Sequence, residues 1–294
     1  MNSGIYTVIP TFFNDDNSIN LEMLEIHMLE QHRMGYNNFV FLGTTSETPT
    51  LSIDEMKLII DTVIRLKRSS IDTYVFGVGG NDPLKVKNII KELDLLNYSD
   101  IIMISAPYYN KPSQQGLITY FTDILSSYSN QKFMLYNIPG RTAINIEVET
   151  FKIIKSFNDN FIAVKEASGD IKQIMDLICE LPNVKVFSGD DKLALPGYAI
   201  GTEGTISVAS NLTPLINLLY QTYNNKIAEA IKLNKFLNNI NNVLFIDSNP
   251  VPLKYLLSLK YKNKTYYNVR SPLVGTNKIN QNKLDKVNQN LSHF

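Results

Sequence analysis

The sequence predicts an α/β protein in which strands and helices alternate eight times. Eight short apolar runs recur along the chain and end at Thr11, Leu42, Gly77, Ser105, Tyr136, Lys165, Ser188 and Ser207. The runs are almost continuously apolar, which is typical of strands covered on both faces. Between them, apolar residues recur with helical spacing. Eight such units predict a closed (β/α)8 TIM barrel with a C-terminal helical appendage.

The segments between the strands carry helix signals. Apolar positions follow the i, i+3, i+4 pattern within residues 56–64, 86–93 and 171–178. Ser52 and Glu55 have the spacing of a capping box, and Asp82 followed by Pro83 is typical of a cap and a first helical turn. A doubly wound open sheet is the less favoured alternative, because no G-x-G-x-x-G follows the first strand.

The chain beyond the eighth strand is predicted to be helical. Helices are expected around Asn211–Tyr223, Lys226–Phe245 and Pro252–Leu259, and Thr276–Phe294 is polar and weakly amphipathic. No linker rich in glycine, serine or charge interrupts this region. We therefore predict a catalytic TIM-barrel domain over residues 1–223 and a C-terminal helical extension over residues 224–294, packed on the barrel.

Composition narrows the classes of function. Lys plus Arg and Asp plus Glu both number 28, which argues against nucleic acid or an anionic membrane surface as the main partner. The single cysteine, Cys179, excludes an internal disulfide framework and indicates a reducing compartment. We expect no signal peptide and no transmembrane helix, because no basic leader and no long apolar run are present. A cytoplasmic location is therefore expected.

Lys165 is the most informative single residue of the sequence. It follows the apolar run Phe161–Val164, and active sites of such barrels form at the carboxyl ends of the strands. Desolvation there disfavours the ammonium form and lowers the lysine pKa. A free amine can attack a ketone and form an imine. The alternative is a lysine whose ammonium group extends from a strand end into solvent.

Other polar or small residues also lie at predicted strand ends, which favours the reactive amine. They are Thr44, Thr45, Tyr108, Tyr109, Tyr136, Gly189 and Ser207, and the apolar Ile206 lies beside Ser207 on the eighth predicted strand. The histidines, His27, His32 and His293, lie elsewhere, so a Ser-His-Asp triad or a histidine-bound metal site is not expected. The acid–base groups near Lys165 would then be tyrosine, threonine or carboxylate. Neither a metal nor an organic cofactor is indicated.

Five motifs, in order, resemble those of the dihydrodipicolinate synthase family. They are Gly43–Glu47, Pro107–Pro112, Tyr136–Thr142, Lys165–Asp170 and Ser188–Asp191. This family lies in the pyruvate-dependent class I aldolase superfamily, which includes N-acetylneuraminate lyase. The resemblance extends from about Ile5 to Val274. It implies a lyase that condenses pyruvate with aspartate semialdehyde in lysine and diaminopimelate biosynthesis.

The resemblance implies a set of catalytic roles. Lys165 would form the Schiff base with pyruvate, and Tyr136 would donate and accept protons. Thr45 would bind the pyruvate carboxylate and, with Thr44 and Tyr109, form a proton relay. In this family the tyrosine at the position of Tyr109 reaches into the neighbouring subunit's site. A homo-oligomer is therefore implied, with a tight dimer that is often paired into a homotetramer.

The resemblance also implies substrate-binding residues. Gly189 and Ile206 would line the pyruvate pocket, and Arg141 would hold the carboxylate of aspartate semialdehyde, for which a guanidinium fork is suited. Arg141 favours this acceptor over a sugar. Two alternatives stay open: a related aldolase acting on a 2-keto-3-deoxy sugar acid or N-acetylneuraminate, and a barrel that binds a keto acid without turnover.

The sequence departs from the family pattern in two places. Ser46 replaces the usual glycine after the two threonines, which predicts a small strain cost if that position has positive φ. Ile53, Met56 and Lys85 occupy positions at which lysine-inhibited members carry histidine and acidic side chains. An apolar pair and a cation are poorly suited to hold an ammonium group, so weak or absent feedback by lysine is expected.

Overall fold

A computed structural model gives the structure of residues 1–68 and 71–291. Its eight strands are hydrogen-bonded in chain order and close into a barrel, and the pairs along the ladder from β3 to β8 are parallel. The strands are β1 (Gly4–Val8), β2 (Asn38–Phe41), β3 (Thr73–Val78), β4 (Ile101–Ser105), β5 (Phe133–Asn137), β6 (Phe161–Glu166), β7 (Lys185–Ser188) and β8 (Gly204–Ser207). The predicted (β/α)8 TIM barrel is confirmed.

Helices follow the strands and continue beyond the last one. Those before β8 are α1 (Leu21–Arg33), α2 (Ile53–Leu66), α3 (Pro83–Glu92), α4 (Leu95–Tyr98), α5 (Gln114–Ser126), α6 (Pro139–Thr142), α7 (Val148–Phe157), α8 (Ile171–Glu180) and α9 (Ala194–Ile200). Those after it are α10 (Leu215–Thr222), α11 (Ile227–Leu244), α12 (Val251–Lys260) and α13 (Lys278–Leu291). Within the described ranges, none of the helices combines the length and the hydrophobicity that a membrane span requires.

Local sequence explains where several helices begin. The Ser52 side chain accepts a hydrogen bond from the Glu55 amide, and the Glu55 carboxylate accepts one from the Ser52 amide. This confirms the predicted capping box of α2. At α3, the Asp82 side chain accepts from the Leu84 amide and Pro83 occupies the first helical position. Side-chain oxygens thus satisfy amides that have no partner within the helix.

Two predicted boundaries are wrong, and proline explains both. The first strand ends at Val8 rather than Thr11, because Pro10 has no N–H to continue the ladder. The helix predicted from Asn211 begins only at Leu215. Pro214 precedes it and disfavours helical geometry at the residue before itself, so residues 209–211 form a separate 3-10 turn.

Contacts divide the chain into two compact units. The first comprises Met1–Gly4 and Thr73–Ile206, and the second comprises Ile5–Asp72 and the residues from Ser207 onward. In the first unit, strands β4 to β7 are almost entirely buried. The predicted division into residues 1–223 and 224–294 stays a prediction.

The second unit contains a buried aromatic cluster that includes a histidine. The Tyr261 and Tyr266 rings stack with centroids 4.4 Å apart, and Phe12 meets Tyr266 edge to face. His27 is fully buried and is hydrogen-bonded to the Tyr261 hydroxyl and to Asn211. Burial lowers the pKa of His27 to about 3, so this side chain is a neutral packing residue.

The other two histidines also bear on the sequence prediction. The His32 Nε2 lies 3.1 Å from the buried Asp72 carboxylate, which immediately precedes β3. His293 lies outside the described residues. His27 and His32 are therefore packing residues.

Candidate active site

Lys165 lies on β6 with its side chain buried, at 7 % exposure. Burial is the main influence on its amine and lowers the pKa to about 7. Asp191 acts against this lowering, and Arg141 adds to it. Desolvation disfavours the charged form of a lysine, which explains the direction. A substantial fraction of the amine is therefore uncharged at neutral pH, as the sequence predicted.

Tyr136 faces Lys165 from the neighbouring strand. The two residues are register partners in the β5–β6 ladder. Paired residues of adjacent strands present their side chains to the same face of a sheet. The Lys165 Nζ lies 4.1 Å from the centroid of the Tyr136 ring, and Tyr136 is itself buried. A phenol and an amine thus share a dry environment within reach of one small molecule.

Gly189 leaves room for the Lys165 side chain. A Cβ at this position would lie 2.8 Å from the Ala167 Cβ and 3.1 Å from the Lys165 Cε. Real Cβ atoms are essentially never found as close as the first of these distances, so a side chain here would force Ala167 to shift and would also crowd the lysine. The Gly189 amide also donates to the Glu166 carbonyl at 2.7 Å, which joins β7 to β6. Ile206 is buried on β8.

Two charged residues accompany this cluster. Arg141 is exposed in the short helix α6. Asp191 is buried at the start of a 3-10 turn that follows β7, where the Asp190 side chain accepts from the Lys192 amide. Asp191 was not among the predicted site residues. The signal that could have found it is its position in the Ser188–Asp191 motif, directly after a strand end.

Thr44 and Thr45 belong to the second unit. They begin a 3-10 turn after β2. Thr45 is buried, and its hydroxyl oxygen accepts a hydrogen bond of 2.9 Å from the Asn249 side-chain amide. Asn249 was also not predicted as a site residue. The Thr45 hydroxyl, with one lone pair engaged, retains its proton for donation to another acceptor.

The strain expected at Ser46 is absent. Ser46 is not among the residues with positive φ, and its hydroxyl donates to the Ile9 carbonyl at 2.7 Å. The left-handed residue of this turn is Glu47, at φ 53°. Its carboxylate forms a buried ion pair with Lys254, with Oε1 and Nζ 2.5 Å apart. That contact helps to offset the cost of a left-handed residue other than glycine.

Tyr109 stands apart from the buried cluster around Lys165. It lies on the loop after β4 and is 86 % exposed, with a left-handed φ of 71°. Its neighbour Tyr108 is 45 % exposed. Of the predicted residues in the first unit, the structure thus brings Lys165, Tyr136 and Gly189 together, and it leaves Tyr109 at the surface.

Comparison with known proteins identifies the family. Residues 1–291 match the dihydrodipicolinate synthetase family. The chain belongs to this family. A 4-hydroxy-tetrahydrodipicolinate synthase of Koribacter versatilis is 36 % identical over 287 residues, which cover 97 % of this chain and 94 % of that protein.

Solved structures from the same family share the fold. The 4-hydroxy-tetrahydrodipicolinate synthase of Methylacidiphilum fumariolicum superposes with a TM-score of 0.93 at 32 % identity, covering 100 % of this chain and 97 % of that one. A dihydrodipicolinate synthase of Acinetobacter baumannii, solved in complex with pyruvate, has a TM-score of 0.92 at 28 % identity, and all of both chains is covered.

Proposed function

We propose that the protein is a Schiff-base lyase that condenses pyruvate with L-aspartate 4-semialdehyde to 4-hydroxy-tetrahydrodipicolinate, in lysine and diaminopimelate biosynthesis. The observation that carries this proposal is the buried Lys165 amine, with a pKa of about 7, against the Tyr136 ring. A neutral amine is the form that attacks a carbonyl carbon. Membership of a family whose relatives are named for this reaction supports the choice of substrates.

The chemistry follows from these two groups. The Lys165 amine adds to C2 of pyruvate, and loss of water leaves an imine, with Tyr136 donating the proton that the departing hydroxyl needs. Loss of a C3 proton gives an enamine, whose C3 bonds to the aldehyde carbon of the second substrate. The amino group of that substrate then displaces Lys165 from C2. Ring closure thus restores the free lysine, and one water is released overall.

The remaining roles concern binding and proton transfer. We assign the pyruvate carboxylate to Thr45 and the carboxylate of aspartate semialdehyde to Arg141, which lies at the surface where an incoming anion can reach it. Gly189 and Ile206 line the pyruvate pocket in this proposal. Thr44, Thr45 and Tyr109 form the proton relay. The proton that Thr45 retains for donation supports its place there.

A homo-oligomer completes this proposal. Tyr109 is far more exposed than a relay residue should be in a working site. A neighbouring subunit that receives its side chain would remove it from solvent, which supports a tight homodimer, with a homotetramer built from two dimers. The partners proposed are thus the two substrates and further copies of this chain. We also propose a cytoplasmic location.

Trapping with borohydride tests the proposed function. Reduction in the presence of pyruvate converts the imine into a stable secondary amine, which peptide mass spectrometry locates. The adduct is expected on Lys165 and not on Lys254, a matched internal control that is also buried, with its pKa lowered by burial to about 8, but ion-paired with Glu47. Absence of an adduct on Lys165 would refute the aldolase mechanism and favour the non-catalytic barrel.

The choice of acceptor needs a separate measurement. At equal pyruvate, turnover with aspartate semialdehyde is expected to exceed turnover with a sugar-derived aldehyde, since Arg141 offers a charge-assisted contact to a carboxylate. The reverse order would favour the related aldolase acting on a 2-keto-3-deoxy sugar acid or N-acetylneuraminate. Weak feedback by lysine stays a prediction, and activity measured with millimolar lysine tests it.

A further inference from the structure

Glu166, the residue after Lys165, is a fully buried carboxylate that the reaction above does not use. Its two oxygens accept hydrogen bonds from the Asn137 side-chain amide at 3.1 and 2.9 Å. They also accept from the Gln173 side-chain amide at 2.8 Å and from the Ser168 backbone amide at 2.7 Å. These donors are uncharged, and bonds to a carboxylate are stronger than bonds between neutral groups.

Asn137 extends this network to the segment that carries Arg141. Its side-chain oxygen accepts from the Ile146 backbone amide at 3.0 Å. Its side-chain nitrogen also donates to the Asn145 side chain at 2.7 Å. The Asn137 side chain therefore joins the two ends of the loop formed by residues 137–146, which carries Arg141. The same side chain contacts Glu166.

The network occupies the position next to the catalytic pair. Tyr136 pairs with Lys165 in the β5–β6 ladder, and the following pair is Asn137 with Glu166. Successive residues of a strand point to opposite faces. The carboxylate–amide contacts therefore lie on the other face of the strands from Lys165 and Tyr136. They fix the spacing of the two strands without occupying the space in which substrate would bind.

We propose that Glu166 is a positioning residue for Lys165, Tyr136 and Arg141, acting through Asn137 and Gln173. The proposal rests on the proposed function. A carboxylate is required because both of its oxygens only accept. A glutamine would direct an amide N–H at a site already filled by donors, so at least one contact of the network would be lost.

The principal test is Glu166→Gln, with kinetics measured on folded protein. We expect kcat to fall about 10- to 100-fold and KM for aspartate semialdehyde to rise, because the loop with Arg141 loosens. Gln173→Met removes one donor from a half-buried position and is expected to give a smaller loss of kcat while retaining the fold. This milder variant keeps the proposal testable if Glu166→Gln does not fold.

A reciprocal variant tests the direction of the hydrogen bond. In Asn137→Asp with Glu166→Gln, donor and acceptor exchange places, and the introduced aspartate can still accept from the Ile146 amide. We expect this double variant to recover part of the kcat lost by Glu166→Gln, whereas Asn137→Asp alone brings two carboxylates together and is expected to be the poorest enzyme. A double variant no better than Glu166→Gln would overturn the donor–acceptor argument.

Asp72→Asn is the matched control. Asp72 is also a buried carboxylate, and it pairs with Arg68 and His32. It immediately precedes β3 and so lies at the amino end of that strand, whereas the proposed active site lies at the carboxyl ends. We expect this variant to lower the melting temperature and to leave kcat unchanged. If Glu166→Gln behaves in the same way, Glu166 is only structural and the proposal fails. Failure of wild-type protein to trap pyruvate would instead refute the proposed function.

Discussion

Two charged side chains act on the Lys165 amine in opposite directions. Arg141 lowers the pKa of Lys165, Asp191 raises it, and burial, which is the largest influence, lowers it to about 7. The relative positions of β6, α6 and the 3-10 turn after β7, which carry Lys165, Arg141 and Asp191, therefore set the fraction of free amine at neutral pH. A group that acts as a general acid, a general base or a nucleophile is most useful when its pKa lies close to the working pH. Lys165 meets that condition.

This balance predicts opposite pH shifts for two variants. Imine formation needs the free amine, so its rate rises with pH through the Lys165 pKa. Arg141→Met should raise that pKa and move the profile to higher pH, whereas Asp191→Asn should lower it and move the profile to lower pH. The measurement is the initial rate of borohydride-trapped pyruvate adduct across neutral pH. Arg65→Met, at an exposed arginine paired with Glu25, should leave the profile unchanged, and shifts of the same sign would contradict the argument.

The sequence predicted some of these residues and missed others for a physical reason. The lowered pKa of Lys165 could be predicted because an apolar run before a strand end implies burial, and the structure confirms it. Its position in a motif after β7 could mark Asp191 as a candidate, but its effect on Lys165 and the contacts of Glu166 depend on distances that only folding creates. The strain predicted at Ser46 is wrong, because backbone φ depends on the whole turn, and Glu47 takes the left-handed position.

At the scale of elements, a buried ion pair ties the turn after β2 to α12. Lys254 and Glu47 are 0 % and 1 % exposed, and the Lys254 ammonium also donates to the Asn268 carbonyl at 2.7 Å. The second oxygen of Glu47 accepts from the Arg270 amide at 2.9 Å. The same turn carries Thr45. The helical region after the barrel therefore fixes a turn that the proposed function places in the active site.

The losses of stability caused by removing the two members of this pair should not add. Glu47→Gln or Lys254→Met leaves a buried charge without its partner, which typically costs about 3–5 kcal/mol. The double variant should be destabilised by clearly less than the sum of the two. Urea unfolding of the four proteins measures this coupling. Lys172→Met is the control, because Lys172 and Asp176 are equally close, at 2.5 Å, but Lys172 is exposed, and only a marginal loss of stability is expected there. Additive losses for the buried pair would contradict the prediction.

Element boundaries were predictable where the signal is local. The capping box of Ser52 and Glu55 fixes the start of α2 from residues three apart, and it was predicted correctly. An apolar run does not by itself mark where a strand ends, so the prediction extended β1 beyond Pro10, which has no N–H to continue the ladder. The helical region after β8 was predicted from periodicity. Its connection to Glu47 through Lys254 could not be, because the two residues are distant in sequence.

For the whole molecule, the alternation of apolar runs with helical segments was sufficient to predict the barrel. Strands of a parallel barrel are covered on both faces, so their sequences are almost uniformly apolar and stand out from the amphipathic helices. The confirmed order of β1 to β8 follows from this simple pattern. The pattern does not predict how much the burial of the Lys165 amine lowers the free energy of unfolding.

That cost predicts that an inactive variant is more stable than the wild-type protein. The Lys165 pKa is about 7 in the folded state and about 10.4 in an unfolded chain. The unfolded state therefore binds more protons between these values, and wild-type stability rises with pH across that window. Lys165→Met should raise the free energy of unfolding by about 2 kcal/mol near neutral pH, since methionine fills the space without a buried charge. The gain should be largest below about pH 7 and shrink towards pH 10.

Urea unfolding at several pH values measures this gain, and Lys172→Met serves as the exposed control. A gain that does not vary with pH would mean that desolvation of the amine is not its source.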